Sequence, residues 1–148
     1  MSTRLGPSLE ETLHVRDHCL CLHVQRAARA LARRFDEALR PLGINQGQFS
    51  LLMSLNRPDA PTMGRVAAFL AMDRTTLTAV VKPLERRGLL TVTVDKEDRR
   101  NRRLTLTDAG RGLLSDALPI WTKTHAAVDL LLAEHKDGNL RGMLGQLS

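Results

Sequence analysis

Apolar residues at Leu20, Val24, Ala27, Leu31, Phe35 and Leu39 recur at spacings of three and four, while Arg26, Arg29, Arg33 and Arg40 take other faces. The pattern predicts one amphipathic helix over Leu13–Leu39, ended by Pro41 and Gly43. At 1.5 Å per residue it is roughly 40 Å long, more than a small unit covers, so part of its face needs a partner elsewhere. Residues 1–12, with Gly6 and Pro7 and no periodicity, read as a flexible N-terminal arm.

Asn45 caps a second predicted helix through Leu55, with Phe49, Leu52, Met53 and Leu55 inward, before Pro58 and Pro61 break the chain. Thr62 caps a short helix to about Leu70, and Ala71-Met72 form a turn. Asp73 then caps a helix that runs to Arg87 and stops at Gly88. Pro83 lies inside that helix and deletes the bond its amide would make to Ala79, so its far half is expected to bend.

Period then switches from helix to strand. Leu89–Val94 and Arg103–Leu106 alternate apolar and polar residues and flank the turn Lys96–Arg102, so a hairpin with a cationic tip is expected. Thr107-Asp108 open another long helix with Leu114, Leu118, Trp121, Val128 and Leu132 on its apolar face and a kink expected at Pro119. A last short helix is expected from about Asn139 to Leu147.

The expected fold class is therefore mainly α with a small β-hairpin wing (α+β): a winged helix-turn-helix flanked by N- and C-terminal dimerisation helices. Residues 13–44 and 111–148 carry the dimerisation helices, and residues 45–110 the winged lobe. Two long helices with more apolar face than the lobe needs favour a symmetric homodimer. The outline suits duplex DNA, because it offers a helix to a wide groove and a ribbon to the neighbouring one.

Charge sharpens that reading. The 148 residues carry a net charge of +6. Between Asp73 and Arg103 nine Lys/Arg stand against five Asp/Glu, so most of the excess lies in the lobe. Aromatic residues make up 3%, too few for the stacking platforms of single-strand binders, so double-stranded DNA is the better partner. There is no run of the ~18 to 20 apolar residues that a membrane span needs, and no secretory leader pattern. A cytoplasmic protein with reduced thiols and no membrane partner is expected.

In the helix after Asp73, the first turns present Arg74, Thr75, Thr76 and Thr78 opposite the apolar Leu77, Val80, Val81 and Leu84. An Arg spans G O6 and N7, and a Thr donates to a base edge or touches a thymine methyl, so these four are the expected readers. Lys82, Arg86 and Arg87 are expected at phosphates or in solvent. In the wing Arg99, Arg100 and Arg102 are the expected DNA contacts, with Asp98 bracing the turn by holding one Arg.

His14, His18 and Cys21 fall at i, i+4 and i+7 of the expected first helix, while Cys19 and Cys21 point roughly 200° apart. Three readings attach to this segment: buried small hydrophobes, which is preferred; thiol sensing by oxidation or an intersubunit disulfide; and a zinc or copper site. No metal and no cofactor is assigned. Catalysis finds no support, since Ser50 and Ser54 lack a neighbouring His and Asp in sequence and no glycine-rich phosphate loop occurs. A winged-helix module for protein contacts only, and a constitutive architectural DNA binder without an effector, are the alternatives to a regulator.

The chain also resembles a family. Asp95-Lys96-Glu97-Asp98-Arg99-Arg100, continuing to Leu104-Thr105-Leu106-Thr107-Asp108-Ala109-Gly110, is similar to the wing and wing-to-helix signature of the MarR-type (multiple antibiotic resistance regulator) winged-helix transcription factors of bacteria. Leu84-Glu85-Arg86-Arg87-Gly88-Leu89 is similar to the end of their recognition helix, and the likeness runs from about Leu13 to Leu147. Pro83 departs from the commonest family pattern. The resemblance implies a homodimer on a pseudo-palindromic operator, with recognition helices in successive major grooves and wings in the minor grooves. It further implies repression relieved by a small aromatic or phenolic ligand or by an oxidant. Cys19 and Cys21 stand near the position of the family's peroxide-sensing cysteine, and Phe35, Phe49, Met53 and Trp121 are candidates to line an effector cleft or to serve as core.

Overall fold

The computed structural model describes residues 6–135 and 138–148. Helix α1 spans Leu9–His18 and starts earlier than expected, because Ser8 and Glu11 form a reciprocal cap: Ser8 Oγ accepts from Glu11 N at 3.1 Å, and Ser8 N donates to Glu11 Oε2 at 2.7 Å. The arm assigned to residues 1–12 is therefore helical from Leu9, and residues 1–5 lie outside the described residues.

The single helix expected over Leu13–Leu39 is two. Cys19 is extended (φ −68°, ψ 102°), and α2 begins anew at Leu20 and runs to Leu39. No Gly or Pro marks the break. It is held by a side chain: the His23 ring lies 3.2 Å from the carbonyl of Asp17, which in an unbroken helix would accept from the amide of residue 21.

A 3-10 turn at Arg40–Leu42 ends on Gly43 at φ 68°, as Pro41 and Gly43 foretell. Helix α3 spans Gln46–Leu55 behind an Asn45–Gln48 capping box, α4 spans Met63–Phe69 behind Thr62, and α5 spans Arg74–Arg86 behind Asp73. Strands β1 (Leu90–Val94) and β2 (Arg102–Leu106) pair antiparallel with Leu90 opposite Leu106 and Val94 opposite Arg102. Leu104 N donates to Pro61 O at 3.0 Å and Thr62 bridges Arg103, so the segment before α4 forms a short third edge on β2.

Helix α6 spans Asp108–Leu131, a second 3-10 turn covers Ala133–His135, and α7 spans Leu140–Gly145. Pro83 and Pro119 are both accommodated inside continuous helices.

The fully buried side chains Leu39, Leu51, Leu52, Leu77, Leu84, Leu90 and Leu104 place the core where α3 and α5 meet the hairpin and the end of α2. Met53, expected inward, is 38% exposed, and Leu51 fills that role instead. A two-residue shift on α3 turns a side chain by about 200°, which moves it from core to solvent. Gly110 closes the junction between hairpin and α6: a Cβ there would stand 2.2 Å from Leu89 O and 2.7 Å from Leu106 Cδ1.

Of the stripe Leu20, Val24, Ala27, Leu31, Phe35 and Leu39, only Phe35 and Leu39 are buried within the protomer. Leu9, Leu20, Leu130 and Leu131 remain exposed, and α7 buries none of its side chains. Among the described residues no helix is long and apolar enough to cross a membrane.

Candidate nucleic-acid interface

The tip of α5 is built by its cap. Asp73 Oδ1 accepts from Thr76 N at 2.7 Å and Oδ2 accepts from Thr76 Oγ1 at 3.0 Å, and these bonds hold the carboxyl below the usual carboxylate range. Arg74, Thr75 and Thr76 are exposed on this turn, with Leu77, Val81 and Leu84 buried behind them. Thr78 is half-buried and its hydroxyl donates to Arg74 O at 2.8 Å, so it retains only acceptor capacity and its methyl for a base edge. Lys82 is exposed farther along the helix.

Arg87 has a different task from the phosphate or solvent role expected of it. Its Nη1 donates to Gly43 O at 2.6 Å and its Nη2 to Leu42 O at 3.4 Å, which ties the end of α5 to the turn between α2 and α3. Those carbonyls belong to a helix end whose acceptors would otherwise face only water.

The wing is braced at two levels. At its tip Asp98 Oδ1 accepts from Arg100 N and Nε, both at 3.1 Å, and Oδ2 accepts from Arg100 Nη2 at 3.3 Å. Arg100 thus turns back on Asp98, although its side chain stays 91% exposed. Arg102 Nη1 donates to the carbonyls of Arg99 and Asn101, and Arg99 points to solvent.

At its base lies the pair that sequence reasoning missed. Asp95, at 6% exposure the one buried charged residue among those described, accepts from Arg103 Nε at 3.0 Å, while Arg103 Nη1 donates to Ala60 O at 2.6 Å. Bonding to Arg103 holds the Asp95 carboxyl below its ordinary range, and Arg100 does the same for Asp98. The signal was present in the register: Asp95 follows Val94, whose partner is Arg102, so residues 95 and 103 lie diagonally across the strands.

The remaining candidates fall elsewhere. Phe35 and Trp121 line a cavity of about 390 Å³ together with Ala28, Leu31, Gln46 and His125. Phe49 stacks on Trp121 at 6.4 Å and belongs to the core, and Met53 does not line this cavity. Cys19 is half-buried and Cys21 exposed, so neither is the buried small hydrophobe that was preferred. The break at Cys19 also takes Cys21 off the face shared by His14 and His18, and among the described residues no three His, Cys, Asp or Glu groups converge on one point.

A capped two-helix unit, a third supporting helix and a braced basic hairpin define a winged helix-turn-helix. Comparison with known proteins agrees. Residues 44–101 match the MarR family model. The transcriptional activatory protein BadR of Rhodopseudomonas palustris is 30% identical over 95 residues, covering 62% of this chain and 54% of that protein. The chain spans about half the length of the curated relatives it matches first. The M. tuberculosis transcriptional regulator MosR, solved in complex with DNA, is 38% identical with a TM-score of 0.71, over 76% of this chain and 82% of that one. The transcriptional repressor CouR bound to a 23-mer duplex is 26% identical with a TM-score of 0.76, over 97% and 99%. The chain belongs to the MarR family.

Proposed function

We propose that this chain is a DNA-binding transcriptional regulator that acts as a homodimer and represses by occupying a pseudo-palindromic operator in the cytoplasm. The observation that carries the reading is the pairing of an exposed α5 tip, Arg74 and Thr75, with the exposed wing cations Arg99, Arg100 and Arg102 beyond the Asp95–Arg103 base. Arg74, Thr75, Thr76 and Thr78 read the major groove, Lys82 meets a phosphate, and the wing enters the minor groove with Asp98 steadying its tip. The DNA complexes of MosR and CouR support this use of the fold.

Dimerisation supplies what the protomer lacks. The exposed apolar residues of α1, α2, the end of α6 and α7, including Leu9 at 73% and Leu130 at 77%, form the face that a second copy covers. Two α5 tips then sit one helical turn of DNA apart, about 34 to 36 Å.

The signal is a small aromatic or phenolic molecule received in the Phe35–Trp121 cavity, or an oxidant acting at Cys19 and Cys21. Selection of bound duplexes from a random pool, with sedimentation of the free protein, tests the reading. A palindrome with half-sites about 10 base pairs apart and a dimeric protein are expected. A monomer, or equal weak binding to every duplex, overturns it. Trp121 is the chain's single tryptophan, so its fluorescence reports ligand entry directly.

A further inference from the structure

We propose that His14 and His18 form a bidentate imidazole site on α1 for a borderline divalent transition cation of the zinc, nickel or copper(II) kind. The two residues stand one turn apart on the same face of α1, and their rings are nearly parallel, with centroids 4.2 Å apart and an interplanar angle of 21°. A tetrahedral site with metal–nitrogen bonds of about 2 Å needs its two nitrogens about 3.4 Å apart, a separation compatible with two imidazoles one helical turn apart on one face. The backbone of α1 already fixes the spacing, as in helical His-x-x-x-His sites.

The hydrogen bonding prepares one ligand. His18 Nδ1 lies 2.8 Å from His14 O, and a carbonyl only accepts, so Nδ1 carries the proton and Nε2 presents its lone pair to solvent. A second ring nitrogen donating to a backbone carbonyl is the usual orienting bond of a metal-binding histidine. Glu10, one turn before His14 on the same face and exposed, adds a negative charge beside the site.

The donor set decides the class of ion. Two neutral imidazoles suit zinc, nickel and copper(II), whereas calcium and magnesium require oxygen ligands and copper(I) favours thiolates. Cys19 and Cys21 are outside the site because the extended residue at 19 ends α1. Water fills the remaining coordination positions, in keeping with the absence of a third converging protein donor among the described residues.

The full-length protein is titrated with nickel(II) and with zinc(II) against a chromophoric competitor, and copper(II) is followed by electron paramagnetic resonance. One cation per chain with a two-nitrogen signature is expected. His14→Ala and His18→Ala should each weaken binding roughly tenfold or more, whereas Cys19→Ser and Cys21→Ser should leave it unchanged. Both histidines are exposed, so circular dichroism should show no loss of fold in either variant. Affinity that survives His14→Ala, or that disappears with the cysteines, overturns the proposal.

Discussion

Arg103 Nε lies 3.0 Å from Asp95 Oδ1 at the base of the wing, and the same guanidinium reaches Ala60 O on the segment leading into α4. One side chain therefore joins β2 to the residue after β1 and to the segment leading into α4, which ties the base of the wing to the helix-turn-helix. On the proposed reading, this restraint would present the wing-tip charges to DNA without a large ordering cost.

Asp95→Ala leaves Arg103 with only the Ala60 carbonyl. Amide exchange at Asn101 and Leu104 should speed up, and affinity for the selected duplex should fall roughly tenfold while overall helix content stays constant. Unchanged exchange at both amides would show that the strand bonds alone hold the wing.

The carboxyls of Asp73, Asp95 and Asp98 all titrate below their ordinary range in the folded chain. A depressed folded pKa stabilises the native state above the unfolded value of about 3.9, and that contribution is lost as pH falls through the lower folded value. Protection of the wing and of the first turn of α5 should thus stay flat from about pH 5 to 8 and fall below about pH 4. Amide exchange measured across that range checks the sign.

Arg74→Ala should cost about 1 to 3 kcal/mol at the selected duplex and relax base preference at one position per half-site. Binding to random duplex should change far less. An unaltered site preference in the variant would remove Arg74 from the readers.

Replacing Arg99, Arg100 and Arg102 with Gln should lower the slope of log affinity against log salt by about one for each phosphate contact removed. The proposed dimer, with roughly eight phosphates neutralised, should show a slope near −7. Equal slopes in the two proteins would place the wing away from the duplex.

Gly110→Ala forces a methyl against Leu89 O and Leu106 at the start of α6. Such overpacking should cost about 1 to 3 kcal/mol in urea denaturation, with the apolar face of α6 shifted from the hairpin. Gly112→Ala, where a Cβ meets nothing within 4 Å, is the control and should be neutral or mildly stabilising.

Much of the lobe was legible in its local chemistry. Asn45, Thr62, Asp73 and Thr107 each cap the helix expected of them, and the alternation from Leu90 to Leu106 yields the hairpin, because caps and pleats depend on near neighbours. The break at Cys19 was illegible, since it is held by a ring from the next turn, and no breaker residue marks it. Met53 and Leu51 exchanged roles because three apolar residues in succession, Leu51-Leu52-Met53, leave the facing of α3 undetermined by period alone.

By itself, then, the amino-acid sequence determined the order of elements from α3 to α6, the winged lobe and where its positive charge gathers, since each follows from spacing and residue type within a few turns of chain. Only the tertiary structure decided which ions are occupied. Arg87 is bound to the Leu42 and Gly43 carbonyls and Arg103 to Asp95 and Ala60, so the charge open to a partner is smaller than the count along the chain. The reason is that ion pairing and carbonyl capture depend on distances between residues up to 45 positions apart, and such distances exist only once the core has closed.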